Sequence, residues 1–274
     1  MAAKRNRGLE KAEDSLDDVA PQIPAVVDQD KVTLVIINGF MASRYADIPS
    51  SIYFKWKGWS HVEVFKYDTR GGTIEGHGAS LADFLSKLVK ARPGNVFYYY
   101  ATSMGNLVLR AALSNADMPA EAKVGKHVLI GPPWRGAEWG RTVHPWAIAR
   151  WVSGEGTGKQ LRTTPLDGFD YLGHHPESLQ AFVISGTASH NPFITRPNDG
   201  TITLLETYLQ TPHYRHNINW GVHQLFNFWP SCWMLAHQFF LGDTTKLELH
   251  PGLAQEQNAD VSNAAPKVSS SNSN

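Results

Sequence analysis

The stretch that most constrains this chain is Asn95–Leu113, NVFYYYATSMGNLVLRAAL. Val96–Tyr100 is an apolar and aromatic run of the length of a buried strand. Leu107, Val108, Ala111 and Ala112 then recur at helical spacing. Between them lies Ala101-Thr102-Ser103-Met104-Gly105. A strand that becomes a helix so abruptly leaves little room two residues before and two residues after the turn's centre. Ala101 and Gly105 meet that demand. The turn holds the Ser103 hydroxyl out at the strand's carboxyl end, facing a helix amino terminus. On these residues alone, the segment is either a site for a nucleophile or an ordinary strand-to-helix turn with a surface serine.

The flanking sequence alternates in the same way. Lys31–Ile37 (KVTLVII) is a β-branched run that predicts a central strand, ending in Asn38-Gly39-Phe40-Met41. Ser43–Gly58 reads as a loop and helix, and His61–Tyr67 (HVEVFKY) as the next strand. Asp68–Gly78 reads as a glycine-rich loop whose glycines lack the dinucleotide-binding spacing. Ala79–Lys90 places Leu81, Phe84, Leu85, Leu88 and Val89 on one helical stripe. Gly125–Ile130 and Gln180–Ile184 are further strands, and Pro230–Leu241 a further helix. This order predicts an α/β fold with a mostly parallel central sheet flanked by helices.

Residues 134–176 break the alternation. Trp134, Trp139, Trp146 and Trp151 fall here among Arg135, Arg141 and Arg150, which reads as a small tryptophan-rich cap or a surface-covering insertion. SGEGTGKQ within it is no phosphate loop. Ser153 occupies the first glycine position, Gln160 follows the lysine, and no strand precedes it. His174, His175 and Glu177 lack the spacing of a zinc signature and read as surface loop residues.

Composition narrows the function classes. Lys plus Arg and Asp plus Glu are 25 each, so no basic bias points to nucleic acid. The single cysteine, Cys232, cannot form an internal disulfide, which suits a reducing compartment, and a cytoplasmic protein is expected. No run has the length of a membrane span. Residues 1–30 and 251–274 are expected to be a disordered leader and tail flanking one domain over residues 31–250.

Four landmarks now stand in order: Asn38-Gly39-Phe40, Ala101-Thr102-Ser103-Met104-Gly105, Asn198-Asp199-Gly200 and Gly221-Val222-His223. Together they resemble the α/β-hydrolase superfamily of lipase- and esterase-like serine hydrolases. The second is similar to the family's nucleophile elbow, G-x-S-x-G, with Ala101 for the first glycine. The first is similar to the loop ending in His-Gly, with Asn38 for the histidine. The resemblance implies Ser103 as nucleophile, Asp199 as acid and His223 as base, in the chain order this family uses. It also implies the backbone N–H groups of Phe40 and Met104 as oxyanion donors. Asp167 and Asp170 are rival acids; His213, His216 and His237 are rival bases. The implied reaction is hydrolysis of a small-molecule or lipid ester through an acyl-enzyme, with no metal or cofactor. An acyltransferase or thioesterase, or a non-catalytic binding module on the same fold, are the alternatives.

Overall fold

The computed structural model describes residues 27–43 and 45–253. Most of the expected leader and tail lies outside the described residues. Among the described residues, seven strands make one sheet: β1 (Val32–Ile37), β2 (His61–Phe65), β3 (Val96–Thr102), β4 (Lys126–Ile130), β5 (Gln180–Gly186), β6 (His213–Ile218) and β7 (Glu248–His250). Their order is β2-β1-β3-β4-β5-β6-β7. Neighbours are parallel except β6 and β7. The helices are α1 (Ile48–Trp56), α2 (Ile74–Ala91), α3 (Met104–Leu113), α4 (Glu138–Val143), α5 (Ala147–Ser153), α6 (Thr157–Thr163) and α7 (Pro230–Phe240).

The continuous apolar strands follow from a sheet covered on both faces. Every residue of β1 is buried. Its side chains alternate between two cores, as a period of two requires. Val35 and Ile37 pack with Leu81, Leu85 and Val108 beneath α2 and α3. Leu34 and Ile36 pack with Phe54, Ala236 and Phe240 beneath α1 and α7. Each such side chain contributes roughly 1.5–3 kcal/mol by leaving water. The chain runs from β1 outward to β2, then crosses back to β3. The strand order therefore reverses between β1 and β3, where their carboxyl ends open a crevice.

Three expectations need correction. The glycine-rich segment is loop only as far as Thr73, and α2 begins at Ile74. The Thr73 hydroxyl accepts from Gly76 N at 3.0 Å, an N-cap that starts the helix despite its glycines. Gly78 belongs there for contact, since a Cβ would lie 2.5 Å from Ala111 Cβ on α3. Strands β6 and β7 carried no strand signal, because HYRHNI is polar and the four residues inside β6 are only half-buried. Finally, His175 is not a surface residue. It is buried, with Nε2 3.0 Å from Nδ1 of buried His127 on β4.

The segment between β4 and β5 holds α4, α5 and α6. Arg110 of α3 clasps both of its ends. This buried guanidinium donates to Trp134 O at 2.7 Å and to Asp170 at 3.0 Å, and it also donates to Gly173 O. It lies over the Trp134 ring, 4.5 Å from its centroid. The insertion thereby leaves and rejoins the sheet against the helix that follows Ser103.

Candidate active site

Ser103 stands between β3 and α3 with φ 51° and ψ −126°, a conformation that costs a non-glycine residue on the order of 1–3 kcal/mol. The surroundings hold it there. Ser103 N donates to Ile130 O at 2.8 Å. Buried Asn106 donates its side-chain amide to Ser103 O at 2.8 Å and to Ile130 O at 3.2 Å. The spacing of small residues has a steric origin. A Cβ on Gly105 would lie 2.5 Å from Ile37 O and 2.8 Å from Asn38 O, so only glycine lets α3 start against β1. Ala101 is fully buried and pairs with Ile37 on β1, so the strand accepts a methyl at that position.

The structure brings Ser103, Asp199 and His223 together. His223 Nε2 lies 2.8 Å from Ser103 Oγ, and His223 Nδ1 lies 2.6 Å from Asp199 Oδ2. Asp199 is buried, and its other oxygen accepts from Thr201 N at 3.0 Å and Ile202 N at 2.7 Å. An ionised carboxylate only accepts, so it places the imidazole proton on Nδ1 and leaves Nε2 to accept from the serine. His223 N also donates to Asp199 O at 2.9 Å. The two loops meet where side chains would not fit, since a Cβ on Gly186 would lie 2.3 Å from Gly221 O and 2.9 Å from Asp199 Cβ.

The rivals lie elsewhere. Asp167 is paired with Arg135 at 2.5 Å and 2.8 Å, and Arg135 holds its carboxyl below the usual range. Asp170 takes Arg110. His213 Nδ1 bonds Thr211 O at 2.9 Å, and the ring stacks on His250. His237 Nδ1 accepts the Trp59 indole N–H at 3.0 Å. His216 lies within β6. Among the described residues, no group of three His, Cys, Asp or Glu is arranged to hold a metal ion.

Phe40 and Met104 flank the serine from two sides. Met104 is the first residue of α3, where helix N–H groups lack intrahelical partners. Phe40 follows Gly39, whose missing side chain matters, since a Cβ there would lie 2.7 Å from Ser103 Cβ. The sequence signal did not reach the residues that hold this loop. Tyr67 Oη donates to Asn38 O at 2.7 Å, and Met41 N donates to Thr69 Oγ1 at 3.1 Å. Burial pushes the Tyr67 hydroxyl well above the usual tyrosine range, so it stays a donor. Asn38 itself donates to Asp47 at 3.3 Å, and Lys66 pairs with the same Asp47 oxygen at 2.6 Å.

A cavity of about 520 Å³ opens over Ser103 and His223. Gly39, Phe40 and Thr102 line its floor; Trp139, Val143, Val152 and Leu161 from the insertion line its roof. Such a space suits a small-molecule site, walled by apolar groups with few polar ones.

A mostly parallel sheet reversing at this crevice, with an elbow serine beside a histidine and an aspartate, defines an α/β-hydrolase fold. No family model matches the sequence, and no curated protein matches it. Solved structures do. Lipase BlEst2 from Bacillus licheniformis in mature form matches with TM-score 0.57 at 18% identity, covering 75% of this chain and 88% of that one. The metagenomic carboxyl esterase MGS0156 matches at 0.53 and 14%, covering 81% and 78%. Est1E from Butyrivibrio proteoclasticus, with ferulic acid bound, matches at 0.53 and 12%, covering 80% and 91%. Against BlEst2 in its propeptide form, the chain spans about half of that protein's length, 48%. At these identities the likeness is one of fold. Among the described residues, no helix is long and apolar enough to cross a membrane.

Proposed function

We propose that the chain is a serine hydrolase of carboxylic esters, working through Ser103, His223 and Asp199. The observation that carries this reading is the hydrogen-bonded line from Asp199 through His223 to Ser103 Oγ, 2.6 Å and 2.8 Å, on the floor of an apolar cavity. His223 Nε2 takes the serine proton as Oγ attacks the ester carbonyl. Asp199 orients the ring and stabilises the imidazolium. The N–H groups of Phe40 and Met104 receive the developing oxyanion. The imidazolium then gives its proton to the departing alcohol. Water attacks the acyl-serine, with His223 again as base, and releases the acid.

The test is a fluorophosphonate probe together with short p-nitrophenyl esters, applied to wild type and Ser103→Ala. Wild type is expected to label and turn over, and the variant to do neither. A wild type inert to both would sink the reading. A variant that labels equally well would move the nucleophile elsewhere. Adding competing alcohols and analysing products separates hydrolysis from acyl transfer.

A further inference from the structure

Asn106, in the first turn of α3, is buried and badly matched to its place. Its amide nitrogen donates to Ser103 O at 2.8 Å and to Ile130 O at 3.2 Å, while its Oδ1 is buried with no partner. Both acceptors are carbonyls, so the nitrogen and not the oxygen must face them. Neither carbonyl depends on this amide. Ser103 O also accepts from Asn106 N at 3.0 Å, and Ile130 O also accepts from Ser103 N at 2.8 Å. An unpaired buried acceptor costs stability, and asparagine is a poor residue for a helix. Satisfying the backbone therefore does not account for this side chain.

What it does is close a ring around the strained serine. The peptide before Ser103 is held by its N–H on Ile130 O. The peptide after it is held by its carbonyl on Asn106 Nδ2, and Nδ2 reaches the same Ile130 O. Both backbone dihedrals of Ser103 are thus fixed at one point. The second peptide also carries the Met104 N–H. It is trans and planar, with its carbonyl and its N–H pointing opposite ways, so a hold on Ser103 O aims the Met104 N–H.

We propose that Asn106 is a positioning residue, which acts through the Ser103–Met104 peptide to aim the Met104 N–H at the oxyanion that forms in acylation and deacylation. This rests on the esterase reading above. The contribution is realised only as charge develops on the carbonyl oxygen, so it belongs to kcat and not to KM.

The experiment compares wild type, Asn106→Ala and Asn106→Ser on a short p-nitrophenyl ester. Turnover is counted per serine labelled by the fluorophosphonate probe, so unfolded protein does not enter. A trifluoromethyl ketone, which adds the serine to give a tetrahedral oxyanion, reports on the transition state. Asn106→Ala is expected to lower kcat on the order of 10- to 100-fold with KM little changed, and to raise the ketone's inhibition constant by the factor lost from kcat/KM. Its urea midpoint should stay near that of wild type, because both carbonyls keep a backbone donor and the orphaned Oδ1 is gone. A serine hydroxyl can reach the carbonyl three residues back, so Asn106→Ser should recover part of both losses. If kcat and ketone affinity stay at wild-type values in Asn106→Ala, whatever the midpoint, the inference is overturned and the esterase reading stands. A rise in KM alone overturns it in the same way. No turnover and no probe labelling in wild type is failure of the esterase reading itself.

Discussion

The floor and the roof of the cavity are built by different means. The floor is fixed by backbone. Gly39, Gly105 and Gly186 stand where a Cβ would strike a neighbouring strand or turn, and Ser103, Asp199 and His223 are joined by bonds of 2.6–2.8 Å. The roof is tied to the rest of the molecule largely by side chains. Helix α5 has no buried residue; Trp151 is 78% and Ile148 69% exposed. The insertion is held by cations instead, with Arg110 and Arg135 clasping its ends and Arg141 reaching Glu206. A backbone-built floor has one geometry, whereas a roof on side-chain ties can change shape as its residues change. In the proposed reaction the floor sets the chemistry and the roof sets the substrate.

The sharpest break in that division comes from the floor. Ser103→Ala and His223→Ala are each expected to lower kcat by about 10³-fold or more, with KM changed far less. Asp199→Asn should do nearly as much, because an amide that donates to Nδ1 selects the wrong tautomer. Steady-state kinetics on a p-nitrophenyl ester measures all three. A loss under tenfold for His223→Ala would move the base to another histidine.

The next effect lies where the insertion rejoins the sheet. His127 of β4 meets His175, which ends the insertion, and both are buried. Desolvation by burial holds His127 well below the usual histidine range and pushes His175 down to about 4; it also lowers His213 to about 4. The unfolded chain takes up these protons near pH 6.5 and the folded chain does not. The unfolded state therefore binds more protons between pH 6.5 and 4. Stability is full above 6.5 and is lost as pH falls through that window, by roughly 3 kcal/mol for His175 alone. Urea titration at pH 7.5, 6 and 5 measures it. His175→Gln should flatten the slope, and an unchanged slope would dissolve the joint.

How far these regions could be read in advance follows from the same contrast. The floor was legible because tight backbone contacts demand particular residues: glycines at fixed offsets, small Ala101, β-branched β1. The departures at Ala101 and Asn38 did not hide it, since the strand tolerates a methyl and the loop is held through a backbone carbonyl. The roof was legible only as a break in the alternation. Its three helices are of six or seven residues, too short to show a period, and its ties join residues far apart in sequence, such as Arg110 to Gly173. β6 was lost because a half-buried strand near the sheet edge does not need an apolar sequence.

A smaller effect tests the floor alone. Gly39→Ala puts a methyl 2.7 Å from Ser103 Cβ and 2.9 Å from Thr102 O. Overpacking of this kind costs about 1–3 kcal/mol. The midpoint of urea unfolding should fall accordingly, and probe labelling should slow. If neither moves, the loop has more freedom than a backbone-built floor allows.

The smallest effect asks whether the two regions are independent. Thr69 touches both: its hydroxyl accepts from Met41 N at 3.1 Å beside the oxyanion loop, and its carbonyl accepts from the Thr157 hydroxyl of α6 at 2.7 Å. Gly156 rests on the same turn, where a Cβ would lie 2.7 Å from Arg70 O and 2.6 Å from Gly72 O. The two glycine-rich segments that matched no nucleotide motif thus meet backbone to backbone. Thr69→Val keeps the shape and the carbonyl and removes the acceptor for Met41. The Met41 amide is exposed enough for water to replace part of that bond, so about 0.5–1.5 kcal/mol is at stake, or roughly 2- to 10-fold in rate. The loss should fall on kcat, since the loop carries the proposed donor to the transition state. Thr69→Ser should restore it. A kcat unchanged in Thr69→Val would show that this bond does not hold the proposed oxyanion loop; a reduced one would make Thr69, the residue on which Thr157 of α6 also rests, part of how that loop is held.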